Sequence, residues 1–244
     1  MALTDNLISY WTLDEASGTR ADSHGSNDLT DNNTVASAAG KISNAGDFEK
    51  ANNEYLSHAD NADLSFSGAD PFTISAWVNL ESNDGTMNVV AKFNAAGDTG
   101  GYFLRYNQGL NRFDFRVGAD DGASGTNLGQ VQANNFGAPS TATWYFLVAW
   151  HDPVNDVLGI SVNGTVNTNA HATNVFDDAG SFCIGRLGDF NGQYWDGLID
   201  EVGLWNRVLT SDERAELYAG GSGLAYPFSS AAPVRRLTLL GVGA

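Results

Sequence analysis

The stretch GLIDEVGLW places two acids, Asp200 and Glu201, inside an otherwise apolar run. Carboxylates serve as general acids and bases, and they are also preferred ligands of calcium. The run alternates as a β-strand does, and adjacent residues of a strand point to opposite faces. We therefore expect Asp200 to face inward with Leu198 and Val202, and Glu201 to face outward into solvent in the row of Trp205. On that geometry the two acids cannot act on one substrate.

No other arrangement of nucleophiles, bases or phosphate-binding glycines is present in the sequence. There is no G-x-S-x-G elbow, no P-loop and no G-x-G-x-x-G before a helix. The 4 histidines are scattered, without the H-x-x-x-H spacing that binds zinc. The single cysteine, Cys183, lies in the strand-like run SFCIG, so we expect a buried and unreactive thiol. The sequence therefore predicts a protein that is not an enzyme.

The charge of the chain limits its partners. It carries 29 acidic and 12 basic residues, for a net charge of −17. This field repels phosphate backbones and anionic lipids, which argues against binding to nucleic acids or membrane surfaces. No run approaches the ~20 apolar residues of a membrane span, and MALTDNLISYW lacks the basic and apolar regions of a signal peptide. We expect a protein made in the cytoplasm, with no membrane insertion.

Period-2 runs recur at short intervals and are separated by clusters of Gly, Asn and Asp. These runs, which include FTISAWVNL and TWYFLVAWHD, predict an all-β fold in which antiparallel strands form a two-sheet jelly-roll sandwich. Asn163 and Gly164 predict a tight hairpin, because both central residues of such a turn take positive φ. SDERAELY predicts one short helix near the C-terminus, with Thr210 as N-cap and Glu213 completing a capping box.

The composition changes after this helix. We expect the folded domain to cover residues 1–218, and AGGSGLAYPFSSAAP, residues 219–233, to be a flexible linker. VRRLTLLGVGA, residues 234–244, is a short basic and apolar tail on an otherwise acidic chain. Two interpretations remain open for this tail: a frayed terminus, or a docking peptide that binds a partner protein.

Several of these runs, taken in order, resemble the laminin G-like branch of the concanavalin A-like lectin/glucanase superfamily. The resemblance covers residues 5–218, from LISYWTLDEASGTRADSHGSNDLT through GKISNAGDFEKANNEYLSH to IGRLGDFNGQYWDGLIDEVGLWNRVLTSDERAELY. It implies two antiparallel sheets in a curved sandwich and a common role in binding carbohydrates or proteins. The E-x-D-x-x-E run of the superfamily's glucanases is absent here, so a glycoside hydrolase or lyase is the less favoured alternative.

The resemblance also implies a structural calcium ion. A carboxylate on an apolar strand face is costly unless it is paired or bound to a metal. By resemblance, Asp200 helps to hold the ion, joined by Asp14 or Glu15 and by Glu49. The family often has Asp followed by Gly where this chain has Glu49 and Lys50, which is a departure from the pattern. The alternative is that Asp200 accepts hydrogen bonds from backbone amides without a metal.

Two groups of residues are candidates for ligand binding. Tyr194 and Trp195, in the loop GDFNGQYWDG, have rings that stack on sugars or, alternatively, close one end of the core. Alternation places Arg105, Asp114 and Arg116 on the polar faces of two strands. If those strands are neighbours, the three residues form either a ligand-binding strip or a cross-strand salt-bridge ladder.

These observations predict a non-catalytic, surface-displayed, lectin-like module that binds glycans or a cell-surface polysaccharide. The fold resembles proteins that work outside cells, whereas the chain carries no export signal. We therefore expect a phage virion component, either a capsid decoration or a tail protein, which the C-terminal tail anchors to capsid or tail proteins. The protein would then lie on the virion surface or become extracellular after lysis. The alternative is a purely structural assembly protein that binds no glycan.

Overall fold

A computed structural model describes residues 1–94, 99–118 and 128–228 of the chain. The described residues form fifteen strands, one α-helix and three short 3-10 helices. The strands are β1 (Leu7–Trp11), β2 (Thr30–Asn32), β3 (Ala36–Ala39), β4 (Asn44–Phe48), β5 (Tyr55–His58), β6 (Phe72–Leu80), β7 (Met87–Asn94), β8 (Thr99–Asn107), β9 (Arg112–Gly118), β10 (Leu128–Gln132), β11 (Trp144–Asp152), β12 (Val157–Val162), β13 (Thr165–Ala170), β14 (Phe182–Ile184) and β15 (Gly197–Trp205). The helices are α1 (Ser211–Tyr218) and the 3-10 turns Lys50–Asn52, Ala62–Leu64 and Ala219–Gly221.

The strands form two antiparallel sheets. The first sheet has the order β13-β12-β11-β6-β15-β4-β3, and β1 also pairs with β15. The second sheet has the order β10-β9-β8-β7-β14-β5-β2. Consecutive hairpin strands alternate with neighbours from distant parts of the chain, such as β11 with β6 and β6 with β15, as in a jelly roll. The predicted all-β, two-sheet sandwich with one short helix is confirmed.

The main hydrophobic core lies between the two sheets, and strand alternation builds it. On β11, Leu147 and Ala149 face this core, whereas Phe146 and Val148 face the opposite side of the first sheet. All four are nearly inaccessible to solvent. Burial of a side chain as large as leucine or phenylalanine stabilises the fold by about 1.5–3 kcal/mol. The outer face of the first sheet is therefore also covered.

The cover on that outer face is α1 together with the segment that follows it. The predicted capping box is present: Glu213 N donates to Thr210 Oγ1, and Thr210 N donates to Glu213 Oε2. Leu217 of α1 packs in the outer apolar cluster, which also contains Trp205. Within the described ranges, no helix has the length and apolar character needed to cross a bilayer.

The predicted hairpin turn at Asn163 and Gly164 is also confirmed. The two residues join β12 to β13 and have φ values of 50° and 84°. Glycine adopts such angles without steric cost, and asparagine tolerates them. The turn fixes the register in which β13 lies along the edge of the first sheet.

Residues 219–228 differ from the flexible linker predicted for 219–233, and residues 229–233 lie outside the described residues. The ring of Tyr226 stacks on Tyr10 with centroids 5.0 Å apart, and Phe228 meets Tyr10 edge-on at 5.1 Å. The Tyr226 hydroxyl lies 3.1 Å from His24 Nδ1. Tyr226 and Phe228 therefore pack this segment against the sandwich. The folded unit includes the residues up to Phe228. The predicted tail over 234–244 lies outside the described residues.

Candidate functional site

The outer face of the second sheet carries the polar residues that alternation predicts for β8 and β9. These strands are neighbours, and Arg105 lies opposite Asp114. On the other side of β9, β10 places Gln130 opposite Arg116. The structure thus brings Arg105, Asp114 and Arg116 together, as the sequence predicts, and adds β10 to the same face.

Asp114 is the centre of a hydrogen-bonded network. Its Oδ1 accepts from Arg105 Nε at 2.7 Å, and its Oδ2 accepts from Gln130 Nε2 at 2.6 Å. Oδ2 also accepts from Arg105 Nη2 at 3.3 Å, Asn107 Nδ2 at 3.1 Å and Arg116 Nε at 3.4 Å. We call these five residues the arginine–aspartate network. One carboxylate thereby orients two guanidinium groups and two carboxamides.

Solvent exposure separates the buried group of the network, which positions its neighbours, from the partly exposed groups, which a ligand in solution could reach. Asp114 is 0% exposed, so it holds its neighbours and does not itself reach a ligand. The Arg116 side chain is 23% exposed and presents its remaining N–H donors on the outer face. Burial, and next the charge of Arg105, lower the pKa of Arg116. Two guanidinium groups against one carboxylate leave a local positive charge on a chain whose net charge is −17.

Tyr194 and Trp195 do not form the exposed aromatic platform predicted as one possibility. Trp195 is 0% exposed and lies in the core between the sheets. Tyr194 is buried, and its hydroxyl donates to Asn191 Oδ1 at 2.7 Å. The loop folds back because Trp195 N donates to Gly185 O at 2.8 Å. As ligand-stacking residues both predictions are wrong, and the alternative, closing one end of the core, is the observed role.

The predicted separation of Asp200 and Glu201 onto opposite faces is also wrong. In the pairing of β15 with β6, Asp200 lies opposite Trp77 and Gly203 lies opposite Ser75, so β15 has one extra residue there. This is a β-bulge, and Glu201 takes a left-handed φ of 51°. Both acids consequently lie on the outer side of the first sheet, and neither is a solvated surface residue. Asp200 is not in the inward row that the sequence predicts.

Asp200 is buried beneath the turn that joins β3 to β4, and Glu201 is buried against Tyr10. Ile42 N donates to Asp200 Oδ2 at 2.9 Å. The turn approaches this closely because Gly40 has no side chain; a Cβ there would lie 2.7 Å from the same oxygen. The hydroxyl of Tyr10 donates to the Glu201 carboxylate. No substrate can reach either carboxylate through this cover.

Burial dominates the titration of the pair. It raises the pKa of Asp200 to about 7, although backbone N–H groups donate to that carboxylate. It raises the pKa of Glu201 to about 8, and the charge of Asp200 adds to the effect. Asp200 Oδ1 and Glu201 Oε2 are buried and lack a hydrogen-bond partner among the described residues. Two unpartnered carboxylate oxygens in one buried place favour a cation or a shared proton.

The predicted calcium ligands are only partly brought together. Asp14 lies near both acids, and its charge raises their pKa values. Glu49 is elsewhere: Phe48 lies opposite Gly197, so Glu49 is roughly 13 Å along the strand from Asp200. It lies instead among Asp47, Asp196 and Glu54. Glu49 is therefore not a partner of Asp200.

The donor set at the bulge fits calcium incompletely. In the described ranges, no three or more His, Cys, Asp or Glu side chains are placed to hold a metal ion. Calcium takes six to eight oxygens and accepts backbone carbonyls and water among them. Asp200 and Glu201 would supply one free oxygen each, with Asp14 nearby, and the remaining ligands would come from backbone and solvent.

Cys183 has the predicted character of a buried thiol. It is inaccessible to solvent on β14. Burial raises the pKa of the thiol to about 12. The thiolate required for nucleophilic attack is therefore disfavoured.

The sequence prediction leaves out two residues of the arginine–aspartate network and misplaces one of the two buried acids. Asn107 and Gln130 belong to the arginine–aspartate network, and Glu201 belongs to the buried acid pair. Gln130 lies in the alternating run LGQVQ, which predicts an outward side chain, but only the strand order places β10 beside β9. The bulge that buries Glu201 has no local sequence signal.

Comparison with solved structures gives the same fold at low sequence identity. The binding domain of Paraclostridial Mosquitocidal Protein 1 matches with a TM-score of 0.70 and 17% identity, over 89% of this chain and 52% of that one. Domain 4 of an extracellular arabinanase from Geobacillus stearothermophilus, solved with arabinotriose, matches with a TM-score of 0.63 and 18% identity, over 86% and 97%. The ligand binding domain of botulinum neurotoxin serotype D, solved with N-acetylneuraminic acid, matches with a TM-score of 0.64 and 11% identity, over 89% and 51%.

The chain thus spans about half the length of the two toxin domains and nearly all of the arabinanase domain. No curated protein sequence matches it. A family model described as the concanavalin A-like lectin/glucanases superfamily matches residues 50–213, about two thirds of the chain. That match agrees with the two antiparallel sheets and their jelly-roll order. The chain belongs to the concanavalin A-like lectin/glucanases superfamily.

Proposed function

We propose that this protein is a non-catalytic carbohydrate-binding module, and that it binds glycans on the outer face of its second sheet. The observation that carries the proposal is the buried carboxylate of Asp114, which fixes two guanidinium groups and two carboxamides on one face. Sugar hydroxyls are recognised by a few planar polar groups held in fixed positions. Arg116 and Gln130 have this character, because Asp114 orients both.

Two further observations support a binding module. The solved arabinanase domain holds arabinotriose and the neurotoxin domain holds N-acetylneuraminic acid, and both have the fold of this chain. The adjacent acids that most resemble a catalytic pair, Asp200 and Glu201, are almost completely buried. A general acid must reach the substrate within hydrogen-bond distance, which these two side chains cannot do.

A glycan array followed by calorimetric titration of the best ligand tests the proposal. We expect Arg116→Ala to weaken binding of that glycan by about tenfold or more, because a charge-assisted hydrogen bond is lost. Arg214→Ala is the matched control, since Arg214 lies on α1 over Trp150, on the opposite face of the sandwich. Wild-type protein that binds no glycan would favour the purely structural role. Equal affinity of Arg116→Ala and wild type would place the glycan elsewhere.

We further propose that a calcium ion occupies the buried acid pair, held by Asp200 with Glu201 and Asp14 nearby. The free oxygens of Asp200 and Glu201 support this proposal. Addition of a chelator should lower the melting temperature of the wild type by several degrees, since a bound cation stabilises only the folded state. Asp200→Asn should remove that sensitivity. A wild-type melting temperature that is identical in calcium and in chelator at pH 8 would contradict calcium binding.

The attachment of the protein to a phage virion is also a proposal. Residues 234–244 are basic and apolar on an acidic chain, which suits a docking peptide. Deletion of residues 234–244 should then release the protein from capsid or tail assemblies while leaving its melting temperature unchanged. Undiminished incorporation of the truncated protein into particles would exclude docking by this segment.

A further inference from the structure

A second polar feature lies where the two sheets meet. The edge strand of the second sheet, β10, and the edge strand of the first, β13, approach each other on one side of the sandwich. Asn169 Nδ2 donates to Gln130 O at 2.8 Å across this junction. A groove of about 230 Å³ runs between the two strands. We call it the carboxamide groove. Its lining residues are Gln130, Val131, Gln132, Asn134, Asn167, Thr168 and Asn169.

The register of β13 explains why this groove is polar. Leu158 and Ile160 of β12 face the core and lie opposite Asn169 and Asn167 of β13. The inward row therefore changes from aliphatic to carboxamide side chains in passing from β12 to β13. The apolar core ends at β12, and β13 faces β10 with hydrogen-bonding groups.

Several of these carboxamides are fixed at one end and free at the other. Gln130 uses its Nε2 to bind Asp114, and Asn169 uses its Nδ2 to bind Gln130 O. Asn167 Oδ1 accepts from Asn135 N at 2.9 Å. Each side chain is thus oriented while its other polar atom makes no hydrogen bond within the described residues. Gln132 and Asn134 are freer still, because their side chains make none there.

The chemistry of the lining selects the ligand. No charged side chain lines the groove, so an ionic ligand would gain no ion pair. Val131 is the single apolar residue of the lining, so the groove has no pocket for the side chains of a bound peptide. Carboxamides both donate and accept, which matches hydroxyl groups that do the same. The groove is also smaller than the roughly 300–1,000 Å³ of pockets that enclose a drug-sized ligand. These properties suit a short stretch of a sugar chain.

The geometry points to a binding site for uncharged, hydroxyl-rich sugar units in the carboxamide groove between β10 and β13. Gln130 belongs both to the groove and to the arginine–aspartate network, so one sugar chain can contact both. This inference rests on the proposed glycan binding and extends it: the network supplies charge-assisted hydrogen bonds, and the groove recognises neutral sugar units.

Calorimetric titration with neutral linear oligosaccharides of pentoses and hexoses, three to six units long, tests this inference. We expect Gln132→Ala and Asn134→Ala each to weaken binding about three- to tenfold, because each loses one or two hydrogen bonds. Their melting temperatures should equal that of the wild type, since neither side chain makes a hydrogen bond within the described residues. Asn32→Ala is the matched control: Asn32 is a carboxamide on β2, at the far edge of the second sheet.

The outcomes separate this inference from the proposed function. Weaker binding by both groove variants and unchanged binding by Asn32→Ala would support the groove. Wild-type affinity in both groove variants, with loss in Arg116→Ala, would overturn the groove and leave the proposed function standing. Wild-type protein that binds acidic oligosaccharides alone would also overturn it. Wild-type protein that binds no saccharide at all would overturn both proposals.

Discussion

In calcium-free buffer at pH 8, we expect Glu201→Gln to raise the free energy of unfolding by about 2–4 kcal/mol, and to change it little at pH 5. Glu201 is 2% exposed and lies beside the equally buried Asp200. The amide keeps the acceptor for the Tyr10 hydroxyl and adds a donor for Asp200. The substitution also removes a buried negative charge, whose desolvation destabilises the folded state.

The sign of this effect follows from the pKa values. The pKa of Asp200 is about 7 against an ordinary 3.8, and that of Glu201 is about 8 against 4.5. Between about pH 4 and 8, the folded state therefore still holds protons that the unfolded state has already released. In this window the stability of the wild type falls as pH rises, and above it the loss is complete. Glu201→Gln removes one of the two groups responsible.

Urea unfolding at pH 5, 6, 7 and 8 in the presence of a chelator measures this dependence. The exposed Glu216→Gln is the matched control and should follow the wild type at every pH. Parallel stability curves for wild type and Glu201→Gln across the range would contradict a buried, uncompensated acid pair at the bulge.

Asp114→Ala should have the other large effect, a loss of about 3–5 kcal/mol in the free energy of unfolding. Asp114 is 0% exposed and accepts hydrogen bonds from four side chains, and Arg105, one of the four, is itself buried. Removal of the carboxylate leaves the Arg105 charge without its partner. Removal of one partner of a buried pair is far more costly than loss of an exposed ion pair.

Urea unfolding of Asp114→Ala beside Arg116→Ala tests this difference. The Arg116 side chain is partly exposed and 3.4 Å from Asp114, so its loss should cost about 1 kcal/mol or less. Asp114→Ala with stability within 1 kcal/mol of the wild type would show that the network does not hold the outer face of the second sheet together.

Local sequence rules predicted those parts of the fold that depend on neighbouring residues. Alternation placed Arg105 and Asp114 on outward faces, and Asn163 with Gly164 marked the hairpin. Thr210 and Glu213 marked the start of α1. In each case the physical cause lies within a few residues of the feature, so one sequence is sufficient.

Features set by distant strands were not predictable in the same way. The bulge at Asp200 and Glu201 arises in the pairing of β15 with β6, more than a hundred residues earlier in the chain. Trp195 is buried because its loop folds back on Gly185. Gln130 reaches Asp114 because β10 is the neighbour of β9. Neither strand order nor loop path can be read from alternation.

The most direct test of the central claim, glycan binding on the outer face of the second sheet, is an NMR titration with the best-binding glycan. Side-chain N–H signals can be followed for the arginines and carboxamides of that face. We predict shifts at Arg116 and Gln130, with none at Arg214 on the opposite face of the sandwich. Shifts confined to the face covered by α1, or no shifts at saturating glycan, would contradict the account.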